Sequence, residues 1–502
     1  MTKTWDDYVQ AGAQAFEAGN FSEAENFMHA ALMEAEGLGS ELKTALSLDN
    51  LAEVFFEQGK YDQAEPLYLR SLTIRQRMLE PDHEDIVASL NNLSALYFFQ
   101  EKHADAEALC RQLTSIYENV LGPEHPEVAT SLNNLALLLK AQRKYGEAEQ
   151  VFKRSLLIMD NAFGRNHPDV GLNLNHLADL YHEQHKYADA ELLYEQALAS
   201  LEASLGAENP ELSNTLNSLI DVLKAQGKEH AAQPFYQQLL SIKEIHLGPT
   251  HPDVMTSIDS MAAFHYQQGK YEDAEKLYKR ILTMKERSLG KQNPLVVGSI
   301  SNLAMVYQAQ QKFAQSEALY KEALAICEKN FPPEHAEVLS ALQNIATMYQ
   351  KNGRYAKAEP FWHRLRAMRD KQCGTNSPES ALCLYNLAVA SFQQGRYKES
   401  EPLWRQLLKS KQDLLGPDHP DVATCLHHIA ETLRFDKQYD SAEPLYQKAL
   451  AIRQKSLGPN HPEVASSLEG YANLLQLTYR EAEAEHMKNC AMSIKKTKAK
   501  AN

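Results

Sequence analysis

Long apolar stretches are missing from this chain of 502 residues. No run of about 18 apolar residues occurs, so no segment is suited to cross a bilayer as a helix. The opening residues, Met1-Thr2-Lys3-Thr4-Trp5-Asp6-Asp7, hold no apolar core of a secretory signal. Positive charge is also in deficit: 51 Lys+Arg stand against 66 Asp+Glu, a formal charge of −15. Such a surface repels phosphate backbones, so neither nucleic acid nor a membrane is expected as a partner. The six cysteines, Cys110, Cys327, Cys373, Cys383, Cys425 and Cys490, include no CxxC pair. A reducing, cytoplasmic setting is expected. The phosphate loop, the dinucleotide fingerprint, the nucleophile elbow and HExxH are all absent as well. No catalytic residue, metal ligand or cofactor is therefore expected, and the chain reads as a non-enzyme.

What is present is a repeat of 42 residues that keeps its register for ten steps, without insertion or deletion. An apolar residue marks each step: Leu48, Leu90, Leu132, Leu174, Leu216, Ile258, Ile300, Leu342, Leu384, Leu426 and Leu468. Four positions on, the residue is small in every unit except at Ile220. Self-similarity at this period implies a solenoid, in which each unit buries its apolar face only against its neighbours. Cys383 and Cys425 share one column of adjacent units. Packed helices place such residues about 10 Å apart, beyond the reach of a disulfide.

Residues 125–166 show the unit. His125-Pro126-Glu127 opens a helix, with proline at the first helical position and a carboxylate at the positive end of the dipole. Val128, Leu132, Leu135, Ala136 and Leu139 follow at helical spacing. Gln142-Arg143-Lys144 makes a turn that in sister units reads Gln58-Gly59-Lys60 or Gln268-Gly269-Lys270, where glycine can take the left-handed conformation that ends a helix. A second helix from about Tyr145 carries Ala148 and Phe152 inward, and Gly164-Arg165-Asn166 breaks the chain before the next His167-Pro168. Ala136 and Ala148 mark the crossing of the two helices, where small side chains let the backbones approach. The aromatic columns through Phe152, Tyr194, Trp362 and Trp404, and through Tyr145 and Tyr187, read as packing between helices.

Two small columns, an aromatic at the turn and another four residues after the second small residue resemble the tetratricopeptide repeat. The usual unit has about 34 residues; the longer unit here, with linkers such as Leu121-Gly122-Pro123-Glu124-His125-Pro126 and Leu415-Gly416-Pro417-Asp418-His419-Pro420, is similar to the kinesin-light-chain-like subfamily. The implied fold is an all-α, right-handed superhelical solenoid of about twelve helical hairpins. It would span residues 1–492, with a first unit at about 5–44 and 42-residue units from position 45. Residues 493–502 form a basic segment, expected to be a disordered tail.

Three polar features could carry function. His83, His125, His167, His251, His335, His419 and His461 recur once per repeat and so cannot converge on one metal ion. The missing members are Asn209, Asn293 and Ser377, all helix-capping residues, so one capping role fits all ten positions. His176, Asp179, His182 and His185 form a cluster whose first three members lie three apart on one helix, and a polar groove face is the simpler reading. The third feature is a column two residues after each opening apolar position: Asn50, Asn92, Asn134, His176, Asn302, Asn344, Asn386 and His428, with Ser218 and Ser260 between. Asparagine is a mediocre helix former, but its amide can bind the backbone of an extended peptide. In the family, first helices line the concave groove, and matching asparagines contact bound peptides. The resemblance thus implies a peptide-binding ladder at these eight positions. The column could instead bond neighbouring helices, or simply survive from repeat duplication. The expected function is a protein-interaction scaffold or adaptor holding a peptide or partner domain in the groove. The alternative is a regulatory or sensor subunit that controls a separate enzyme or transcription factor.

Overall fold

The computed structural model describes residues 4–499. Among the described residues the chain forms 24 α-helices and two short 3-10 segments, with no strand. They divide into two compact units, Met1–Ser257 and Ile258–Asn502, each an all-α solenoid of stacked hairpins. In the first unit, Glu41–Glu57 pairs with Tyr61–Met78, Glu84–Phe99 with His103–Leu121, Pro126–Ala141 with Tyr145–Phe163, and Pro168–Glu183 with Tyr187–Leu205. In the second, Ala336–Lys351 pairs with Tyr355–Cys373, Pro378–Gln393 with Tyr397–Leu415, Pro420–Phe435 with Tyr439–Leu457, and Pro462–Leu477 with Glu481–Ala499. No described helix is long and apolar enough to cross a membrane.

The small columns lie where the paired helices cross. Ala136 and Ala148 are wholly buried, as are Ala346 and Ala358. Three hairpins have a serine at this crossing, and its hydroxyl shows how close the backbones come. Ser316 donates to the Ala304 carbonyl at 2.8 Å and Ser400 to the Ala388 carbonyl at 2.8 Å, while Ser94 reaches the Ala106 carbonyl at 3.4 Å. Phe152, Tyr194, Trp362 and Trp404 fill the space beside these contacts and are almost fully buried. Cys383 and Cys425 are buried free thiols.

The ten-member capping column behaves as one device. The backbone N–H two residues on donates to the Nδ1 of each cap histidine, at 3.2 Å for Glu127 on His125 and 3.1 Å for Asp421 on His419. Asn209 and Asn293 accept the same bond through Oδ1, and Ser377 accepts from Ser380. His125→Ala should therefore destabilise its hairpin by about 1 kcal/mol, and His125→Asn should restore most of the loss. Urea unfolding of the two variants checks this.

The turns hold more than a helix stop. Arg143 and His185 keep the left-handed conformation, φ 60° and 59°, where sister units place glycine. The residues flanking that position clamp the preceding hairpin. Gln142 and Lys144 both donate to Glu107, at 2.9 and 2.8 Å, while Gln226 and Lys228 do the same to Glu191. Burial pushes the Glu107 carboxyl up, but bonds from Lys144, Arg111 and Gln142 outweigh it and hold the pKa down at about 2. The Gln-x-Lys turn is thus a stitch between adjacent repeats. The Leu-Gly-Pro linker has its own requirement: Gly122 sits at φ 92°, ψ 153°, a region essentially closed to other residues.

The last helix runs Glu481–Ala499 and takes in residues 493–499 of the basic segment. Ile494 is buried, and Lys495 pairs with Glu469 at 2.6 Å, so one apolar and one ionic contact extend the helix past the last repeat. Residues 500–502 lie outside the described residues.

Candidate interaction surface

The asparagine column does not behave as one ladder. In the first unit, Asn92 and Asn134 are exposed in helix interiors, and Asn50 is half-buried. His176 lies against the Phe152 ring, and its Nδ1 pairs with Asn133 Oδ1 of the preceding first helix at 3.1 Å. Burial lowers its pKa. In the second unit, Asn302 donates to Asp259 at 3.3 Å, and Asn386 accepts from Gln350 at 2.8 Å while donating to the Leu382 carbonyl at 2.9 Å. Asn344 is half-buried. His428 stacks on Trp404, with ring centroids 4.5 Å apart and planes 12° apart. Three members thus tie neighbouring first helices and a fourth packs on a tryptophan.

The charged neighbours are also engaged. Tyr194 donates its hydroxyl to Asp179, Tyr446 donates to Glu431, and Arg434 pairs with Glu431 at 2.6 Å. Lys140 pairs with Glu183 at 3.1 Å. The histidine cluster is similarly spent: the His182 ring lies 5.7 Å from that of Tyr187, and His185 Nδ1 is 2.9 Å from the Tyr187 hydroxyl. Among the described residues, no group of three or more His, Cys, Asp or Glu is placed to hold a metal ion.

Apolar side chains pair first. Phe56, Tyr61 and Phe99 form one ring cluster with centroids 5.2 to 5.9 Å apart, and Phe392, Tyr397 and Phe435 repeat it in the second unit at 5.3 to 5.5 Å. Phe98 and Phe99 nonetheless remain 41% and 54% exposed. Beside them a hollow of about 260 Å³ opens between the helices Glu84–Phe99 and Pro126–Ala141, with Asn91, Ala95, Phe98, Asn134 and Leu137 on its walls and Cys110 beneath. Of the asparagine column, Asn134 lines this hollow and Asn92 does not, while Asn91, outside the column, does. On helix Glu84–Phe99 the lining positions 91, 95 and 98 are spaced by fours and threes, so they share one helix face. The second unit has a hollow of about 300 Å³ walled by Ala381, Tyr385, Trp404 and Leu407, with the Lys411–Asp421 pair at 2.8 Å beside it.

Stacked helical hairpins of this kind define a helical-repeat protein. The chain belongs to the tetratricopeptide repeat family, whose profile matches in overlapping windows from residues 8–77 and 43–119 through to 380–455 and 426–497. Repeats of this family are protein–protein interaction modules. No curated protein matches the chain. Solved structures to which it is similar include a protein of nearly identical tetratricopeptide-like repeats from Podosopora anserina, described as a kinesin light chain, at 25% identity and TM-score 0.36, covering 41% of this chain and 98% of that one. BtubC (BKLC) from P. vanneervenii is similar at 23% identity and TM-score 0.34, covering 46% and 92%. The C-terminal part of a repeat protein from Cytophaga hutchinsonii is similar at 15% identity and TM-score 0.39, covering 58% and 98%.

Proposed function

We propose that the chain is a non-catalytic scaffold whose first helices hold an extended segment of a partner protein. The observation that carries this reading is the pairing of exposed Asn134 with the hollow beside Phe98. An amide with free donor and acceptor capacity stands at the rim of an apolar recess, which suits a peptide backbone with a side chain inserted. The column members already bonded between helices serve mainly to hold the first helices in place; Asn134 leads the binding members, with Asn50, Asn92 and Asn344 beside it.

Asn134→Ala should reduce recovery of specific partners in affinity pulldown about tenfold, with helicity and melting temperature unchanged. Equal recovery of every partner by a folded Asn134→Ala protein rules the reading out.

A further inference from the structure

We propose that the face of helix Glu84–Phe99 selects a basic peptide segment: an extended stretch with two large apolar side chains four residues apart and a Lys or Arg beyond one of them. This deepens the scaffold reading and rests on it. The helix borders two hollows rather than one. The first is the recess of about 260 Å³ at Ala95 and Phe98. The second, of about 400 Å³, lies at Val87 and Ala88 and is walled by Tyr117, Val120 and Leu121. Val120 and Leu121 are 52% and 42% exposed, so this wall is apolar surface left open to solvent. Asn91 lines both hollows and stands at their junction.

Spacing sets the ligand's register. The centres of the two hollows are about eight residues apart along the helix, or about 12 Å at a rise of about 1.5 Å. An extended peptide covers that distance in about four residues at about 3.3 Å each. Residues i and i+4 of an extended chain point to the same side, so two apolar side chains can enter together while the peptide backbone passes the Asn91 amide. Charge sets the flank. Asp82 and Glu84 line the Val87 hollow and are exposed, and among the described residues neither hollow is lined by a Lys or Arg. A basic flank is attracted there and an acidic one repelled.

The test uses the full chain and short fluorescein-labelled peptides on a Ser/Thr/Gly background, read by anisotropy. Two peptides carry leucines at i and i+4 with a pair of lysines before or after them. Controls move the second leucine to i+3 or replace the lysines by glutamates. One lysine orientation should bind, and each control should weaken it about tenfold. Ala88→Trp and Ala95→Trp, which fill the two hollows from exposed positions, should remove the preference in proteins of unchanged helicity. Absence of binding by the whole series, equal binding of all its members, or binding unmoved by both fillings overturns the proposal. If Asn134→Ala still costs the protein its partners in pulldown while the peptide series fails, the scaffold reading stands and this specificity falls. If both fail, both fall.

Discussion

Arg75→Met should destabilise the first unit by about 3–5 kcal/mol at pH 8, the range for removing one member of a buried ion pair. Arg75 and Asp49 are 6% and 8% exposed, and their nearest atoms are 2.8 Å apart. The same guanidinium donates to the Asp85 carbonyl at 2.7 Å and to Ser89 Oγ at 2.8 Å. One side chain from helix Tyr61–Met78 thereby joins its own hairpin to the next. Burial already pushes the Asp49 carboxyl up to about 6 against the attraction of Arg75. Methionine in place of arginine fills similar space but leaves that carboxylate without its cation. The folded pKa of Asp49 should then rise further above its unfolded value, so the penalty is full at high pH and shrinks as pH falls toward about 4. Asp49→Leu added to Arg75→Met should recover most of the loss, because two apolar side chains can replace a buried pair. Urea unfolding at pH 8 and pH 5 measures all three variants, and hydrogen exchange in Glu41–Glu57 and Tyr61–Met78 locates the effect. A double variant as unstable as the single one would show that the pair is not the cause.

The repeat made most of the architecture readable because each column has one physical job. A small residue at position 136 and another at 148 can only mean a close crossing, and the serine-to-carbonyl bonds at the equivalent places show it. The capping column was readable for the same reason: histidine, asparagine and serine share only the ability to accept a backbone N–H. The asparagine column was harder. Its register gives the angle of each side chain around its helix, but not what the neighbouring helix presents there. Asn302 meets Asp259 and is tied, whereas Asn134 meets a recess. His428 meets Trp404, which is large enough to stack under it. Recess depth depends on the sizes of residues on two helices at once, such as Ala95 and Leu137, and no single column reports that. The Gln-x-Lys stitch was missed because its partner, Glu107 for Lys144, lies in the preceding unit, and the turn was read only for its glycine.

Acidification should weaken the second unit through His427 and His428. His427 is 8% exposed and packs against the rings of His428 and Tyr446, each 5.6 Å away. Gly470, where six of the other repeats carry asparagine, leaves room for it: a Cβ there would lie 2.8 Å from His427 Cε1. Burial, with the nearby charges of His428, Arg453 and Arg434 outweighing Glu431, lowers the His427 pKa to about 4; burial and Arg453 do the same for His428. The unfolded chain protonates these rings near pH 6.5, so between about 6.5 and 4 it binds protons that the folded unit refuses. The stability from keeping the rings neutral is therefore complete above about pH 6.5 and is lost as pH falls toward 4. For His427 alone the loss is about 2 kcal/mol by pH 5, and about 3 kcal/mol by pH 4. The two rings are coupled, so His428 adds to a shared loss rather than doubling it. Thermal unfolding at pH 7.5 and pH 5 should show a smaller drop for His427→Gln/His428→Gln than for the unaltered chain, even though the variant starts less stable at pH 7.5. Hydrogen exchange in Pro420–Phe435 should accelerate at pH 5 only in the unaltered chain, after correction for intrinsic rates. Equal drops in both proteins would place the acid sensitivity elsewhere, among carboxylates such as Glu431 that must stay charged to hold Arg434 and Tyr446.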